Sequence, residues 1–99
     1  MEGSLMKKAE LLEAAMAAVA DRGLNYGSPE DNFRRIADLW DTHLRNRVGG
    51  YMATVTPADV AAMMVLMKVA RLQNTPDHLD SWADTAGYAA CGAELFHKP

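Results

Sequence analysis

The chain has 99 residues, 49% hydrophobic and 23% charged, with 7 Gly and 4 Pro; this is the length and composition of one globular domain, and excludes a disordered or low-complexity chain. Ten Lys and Arg are dispersed among thirteen Asp and Glu, for a net charge of −3, which excludes the concentrated basic patch that a long nucleic acid demands. A single cysteine, Cys91, excludes an intramolecular disulfide and a cysteine-rich zinc site.

The first helix is expected over 4–21, stopped by Gly23, because its alanine-rich middle has high helix propensity and glycine is the common residue just past a helix end. Leu5, Ala9, Leu12, Met16 and Val19 form its apolar stripe. The Leu24-Asn25-Tyr26-Gly27-Ser28 segment then reads as a polar loop feeding a helix N-terminus. Such a place suits an anion, because free N–H groups and the helix dipole point outward. Asn25, Tyr26 and Asn32 are candidate contacts there for a base or a phosphate; the plain alternative is that Tyr26 and Gly27 only shape the turn.

Three segments share a helix-start signature. Ser28-Pro29-Glu30-Asp31 and Thr56-Pro57-Ala58-Asp59 each give a capping hydroxyl, a proline at the first helical position and an acid three residues after the cap. Thr75-Pro76-Asp77-His78 keeps the Thr-Pro start and lacks that acid. Proline loses nothing at this position, since its missing N–H would be unpaired, and the acid meets the positive helix end. Helices follow over 29–45, 57–72 and 76–96.

The second helix turns Phe33, Ile36, Ala37, Trp40 and Leu44 to one side, and Gly49-Gly50 marks the loop after it, where Tyr51 and Val55 can pack. The third is apolar nearly all round from Val60 to Met67, the pattern of a central helix covered on several sides. The fourth is rich in Ala and Gly, which lets a neighbouring helix approach closely. Short connections predict an all-α, antiparallel four-helix bundle-like domain spanning 1–99. A chain this small buries a modest share of its surface, so association into a homo-oligomer is expected to complete the core. No charged-then-apolar leader begins the sequence and the longest apolar run is far below the roughly 20 residues of a membrane span; the expectation is a cytoplasmic protein with no membrane partner.

Lys68 and Arg71 stand on the otherwise apolar third helix, roughly 60° apart at about 100° per residue. The short turn after that helix brings back Asp80 and Asp84 as their expected partners, and Tyr88 lies one turn beyond Asp84. The arrangement can be a structural ion-pair network. Alternatively, Lys68 and Arg71 grip phosphate oxygens, while Asp80 or Asp84 takes a sugar hydroxyl or a base amine. Trp40 and Phe33 read as core, Trp82 as packing, and Cys91 as an inert packed thiol. His43, His78 and His97 share no metal spacing and read as surface residues.

Arg22-Gly23-x-x-Tyr26-Gly27-Ser28-Pro29-Glu30-x-Asn32-Phe33, then Asp59-Val60-Ala61-x-Met63-Met64, Lys68-Val69-Ala70-Arg71 and Asp80-Ser81-Trp82-x-Asp84-x-Ala86-Gly87-Tyr88, together resemble small phage and prophage proteins. The family is the one labelled nucleotide modification associated domain, a distant fold relative of MazG-like all-α NTP pyrophosphohydrolases. The resemblance covers roughly 21–94. It implies a nucleotide as small-molecule partner, in the cytoplasm of an infected host. MazG-like enzymes hold Mg²⁺ against a triphosphate with paired E-x-x-E and E-x-x-D helices, because a hard cation takes oxygen ligands in near-octahedral geometry. This sequence carries only fragments of that set: Glu10/Glu13, Asp38/Asp41 and Asp80/Asp84. Glu10 and Glu13 read more simply as a solvated face, and Asp38 and Asp41 as ion-pair partners of nearby arginines.

The expected function is a homo-oligomeric phage protein that binds or sequesters a phosphorylated nucleotide, such as a host defence signal, and needs no cofactor and no metal. A Mg²⁺-dependent NTP or dNTP pyrophosphohydrolase with Asp80 and Asp84 as ligands is the enzymatic alternative. A helical protein-interaction module without a small ligand is the third.

Overall fold

The computed structural model describes residues 7–26, 28–50 and 54–96; within them, the side chains of 22–26 and 29 lie outside the description. Four helices run in order: α1 (Lys8–Tyr26), α2 (Pro29–Arg47), α3 (Pro57–Asn74) and α4 (Leu79–Phe96). No strand occurs among the described residues, so the fold is all-α and bundle-like.

Two of the three expected helix starts form as the sequence dictates. Ser28 Oγ accepts from the Asp31 N–H at 3.2 Å. At Thr56 the capping box is complete: Thr56 Oγ1 accepts from the Asp59 N–H at 3.1 Å, and Asp59 Oδ2 accepts from the Thr56 N–H at 2.9 Å. Each exchange satisfies backbone donors that the first helical turn leaves unpaired.

The third start is different. Thr75 closes α3, donating its N–H to the Arg71 carbonyl at 2.9 Å. Pro76 and Asp77 form a turn, and α4 begins at Leu79 instead of Pro76. His78 caps it: its Nδ1 accepts from the Ser81 N–H at 3.2 Å and lies 2.7 Å from Ser81 Oγ, with Ser81 fully buried. An imidazole nitrogen thus takes the place of a capping hydroxyl. Trp82 pins the same turn by donating its Nε1–H to the Pro76 carbonyl at 2.8 Å. His78 is a half-buried capping residue, not a surface one.

Gly23 does not end α1; the helix continues to Tyr26, and the expected polar loop at 24–26 is helical backbone. The buried face of α1 also differs from the expected stripe. Ala15 is buried, with Leu11, Ala14, Ala18 and Val19 half-buried, whereas Leu12 and Met16 stand 61% and 70% exposed. A Cβ built at Gly87 of α4 would meet Val19 Cγ2 at 3.4 Å and the Ala15 carbonyl oxygen at 4.0 Å. That close approach suits the alanine face of α1. Leu5 lies outside the described residues.

The α3–α4 hairpin is the centre of the molecule, with α1 packed chiefly on α4 and α2 on α3. Successive helices therefore pair well at α2–α3 and α3–α4, and only thinly at α1–α2. Two cross-contacts, Ala61 to Gly92 and Lys68 to Asp84, fix α3 and α4 as antiparallel. A Cβ at Gly92 would come within 3.0 Å of Ala61 Cβ, so the small-residue helix does admit its neighbour closely.

The core gathers Phe33 and Ala37 from α2, Val55 from the connection, Val60 and Ala61 from α3, and Tyr88 from α4. Ile36, Trp40 and Leu44 pack at its edge, as their helical spacing requires. Tyr51 lies outside the described residues. The turn after α2 holds Gly50 at φ +80, a conformation that costs glycine little.

The helix that is apolar all round is covered on one side only. Val60, Ala61 and Leu72 are buried, while Met63, Leu66, Met67 and Val69 are 41%, 66%, 45% and 40% exposed. No described helix is long and apolar enough to cross a membrane.

Candidate functional site

The α3–α4 hairpin brings together one of the two expected cation–carboxylate pairs. Lys68 Nζ lies 3.0 Å from Asp84 Oδ2, with the side chains only 12% and 20% exposed. Three helical turns of apolar neighbours surround Lys68 on α3, so its ammonium needs a counter-charge within reach, and Asp84 supplies one across the hairpin.

Arg71 and Asp80 do not join that pair. Both are exposed, and neither forms an ion pair with another described residue. Lys68 and Arg71 stand roughly 60° apart on α3; Lys68 is half-buried, whereas Arg71, in the last turn, is exposed. Tyr88 does not reach the pair either; it is 8% exposed in the core, its ring centroid 6.0 Å from that of Phe33. Asn32 is half-buried in the first turn of α2, donating its N–H to the Ser28 carbonyl at 3.0 Å. The side chains of Asn25 and Tyr26 lie outside the described residues, as does His97.

A hollow of about 240 Å³ opens beside the start of α2, lined by Val19, Ser28 and Glu30 on one side and Ala90, Cys91 and Glu94 on the other. It sits where the sequence suggested an anion site. Two glutamates, Glu30 and Glu94, stand on its walls.

Two of the other acids, Asp41 and Glu10, have structural work. Asp41 accepts from Arg45 Nε at 3.1 Å and from the Val55 N–H at 3.3 Å, tying the end of the connection to α2. Arg45 reaches Thr54 Oγ1 at 3.4 Å. Sequence spacing indicated the Asp41–Arg45 pair; the backbone contact to Val55, fourteen residues away, had no local signal. Glu10 accepts from the Lys7 N–H at 2.9 Å in the first turn of α1. Among the described residues no group of three or more His, Cys, Asp or Glu could hold a metal ion.

Comparison with known proteins places this chain beside phage proteins. The family model described as Domain of unknown function (DUF6378) matches residues 10–96. The Gene 55 protein of Mycobacterium phage D29 is 37% identical over 94 residues, which cover 95% of this chain and 58% of the phage protein. The Gene 55 protein of Mycobacterium phage L5 is 41% identical over 68 residues, 69% of this chain and 40% of its own length. This chain thus spans little more than half of the first of these relatives and less than half of the second. No solved structure matches. These likenesses carry the phage part of the resemblance read from the sequence, and none of them carries its MazG-like part.

Proposed function

This chain belongs to the phage protein family of the Domain of unknown function (DUF6378), and we propose that it serves there as a helical protein-interaction module. The single observation that carries this reading is the uncovered apolar face of α3, where Met63, Leu66, Met67 and Val69 stand between 40% and 66% exposed. Scattered apolar residues on a surface are ordinary, but a contiguous stripe along one helix marks a contact surface. Leu12 and Met16 add a second apolar strip on α1. Lys68 and Asp84 are then a structural clamp between α3 and α4.

Photo-crosslinking in phage-infected cells tests it. A benzophenone side chain placed at Leu66 should yield a discrete covalent adduct with a protein, and one placed at the exposed Asp38 of α2 should not. No adduct from position 66 would overturn the reading.

A second reading, binding or sequestration of a phosphorylated nucleotide, is favoured by one observation: Arg71 is an exposed guanidinium with no carboxylate from another described residue, one turn from Lys68. Guanidinium groups grip phosphate oxygens in a two-pronged fork. Under this reading, calorimetric titration with mono-, di- and cyclic nucleotides gives saturable binding to the unmodified protein, weakened at least about tenfold in Arg71→Ala, which corresponds to 1.4 kcal/mol. Absence of heat with every nucleotide ends it.

A further inference from the structure

We infer that the outward face of α4 pairs with the same face of a second copy of this chain, the two helices running antiparallel about a two-fold axis at the level of Gly87 and Tyr88. This face is separate from the one on α3 that is proposed to take a partner, and goes beyond that reading.

The chain exposes 7120 Å² of surface. A folded single chain of 10.8 kDa is expected to expose about 5,500 Å². The difference, about 1,600 Å², is twice the roughly 800 Å² that each partner contributes to a standard interface. The radius of gyration, 15.4 Å, likewise exceeds the roughly 13 Å of a compact domain of about 100 residues.

The face that suits such an interface lies on α4. Leu79, Trp82, Ala86, Ala89, Ala93 and Phe96 recur at intervals of three and four residues, the rhythm of a seam between two helices. Ala86 is half-buried and the other five are exposed. At about 100° per residue the six share an arc of roughly 100°. Asp80, Asp84 and Glu94, the ionised residues of α4, lie outside that arc. So do Gly87, which approaches α1, and Gly92, which approaches α3. The arc is therefore apolar throughout and open to solvent.

Trp82 is already prepared for a dry contact. Its Nε1–H is donated to the Pro76 carbonyl at 2.8 Å, so the indole holds its place and asks nothing polar of a partner, while 45% of the residue stays exposed. A side chain fixed in advance loses little entropy on association.

Side-chain size selects the partner and its direction. Large groups stand at the two ends, Leu79 and Trp82 at one and Phe96 at the other, with alanines between. A parallel copy would set Trp82 against the partner's Trp82 and hold the alanines apart. Reversal seats Trp82 on the partner's Ala93, Ala86 on the partner's Ala89, and Leu79 beside the partner's Phe96. Every residue of the seam then meets another residue of the seam, which is the isologous contact of small homodimers. The lack of charge on the arc also matters, because each chain carries a net −3 and like charges brought together away from water repel.

The test uses chains carrying Cys91→Ala, one with Leu79→Cys and another with Phe96→Cys, mixed and oxidised with diamide. Reversed pairing joins 79 to 96 and keeps 79 about 26 Å along the helix from the partner's 79. The mixture should therefore form a disulfide dimer at least about ten times more readily than either chain alone. Light scattering of the unmodified protein should give twice the chain mass. Ala89→Glu should give the single-chain mass with its helical circular dichroism intact, since Ala89 is exposed in the single chain. Leu66→Glu, on α3, should keep the doubled mass. Monomer mass for the unmodified protein, crosslinks chiefly of 79 to 79 and 96 to 96, a dimer that survives Ala89→Glu, or one that Leu66→Glu dissociates would each overturn the pairing. The module reading is decided apart from these results, by the photo-crosslinker at Leu66 in infected cells.

Discussion

Phe33→Ala should cost about 3–5 kcal/mol of folding stability, the usual range for removing a buried aromatic ring. Phe33 is 6% exposed at the junction of α2 with α3 and α4, its ring tilted 34° against Tyr88. The substitution loses transfer free energy, opens a cavity and removes an aromatic pair that contributes roughly 0.5–1.5 kcal/mol beyond its buried area. For a domain of about this size, 1 kcal/mol lowers Tm by roughly 4–8 °C, so the midpoint should fall by at least about 12 °C. Thermal unfolding followed by circular dichroism reads the shift directly. Leu39→Ala, on the same helix at 65% exposed, should stay within about 0.5 kcal/mol of the unmodified protein. Equal shifts for the two variants would contradict the assigned direction of α2.

The contrast within α2 was legible in the sequence, because a polar helix with one apolar stripe has a single face worth burying. The same logic gave α1 the wrong face and gave α3 burial on several sides where only one is covered. In α1 two apolar stripes compete, one of Leu12 and Met16 and one of Leu11, Ala14, Ala15 and Ala18. The larger side chains look like the core. The approach of α1 to Gly87 is so close, with the Ala15 carbonyl oxygen near the position a Cβ would occupy, that small residues are buried there. Such a choice depends on the partner helix, and local periodicity carries no trace of it. In α3 an apolar residue at nearly every position from Val60 to Met67 removes any periodicity that could separate the inner from the outer side.

Local chemistry explains the helix starts in the same way. Ser28 and Thr56 were legible because a cap, a proline and an acid at the third position all agree. At Thr75 the third position is His78, so nothing there returns a hydrogen bond to the cap, and the cap passes to His78 itself. The clamp between α3 and α4 was legible in half. An isolated lysine on an apolar helix demands a counter-charge, which pointed to Asp80 and Asp84, and the pair forms with Asp84. Arg71 lies between Lys68 and the buried Val60 on a helical wheel, so angle alone does not separate it from them; it stands exposed in the last turn of α3, and periodicity does not register position along the helix.

Lys68→Met should destabilise the fold by about 2–3 kcal/mol. This lies above the 0.2–1 kcal/mol of surface pairs and below the 3–5 kcal/mol of broken fully buried pairs, because both side chains keep some contact with water. The loss comes mainly from Asp84, left facing an apolar hairpin without its ammonium 3.0 Å away. Asp84→Leu alone should cost a comparable amount for the mirror reason. The double variant, Lys68→Met with Asp84→Leu, should return to within about 1 kcal/mol of the unmodified protein, since replacing both members of a pair by apolar groups is often near neutral. Urea unfolding of all four proteins gives the coupling directly. A coupling of at least about 1 kcal/mol assigns the pair to the architecture and leaves the uncovered face of α3 as the working surface. A coupling near zero, with Lys68→Met as stable as the unmodified chain, would mean that the ammonium does not hold the hairpin together and is available to an anionic ligand. The nucleotide reading would then take precedence over the interaction module.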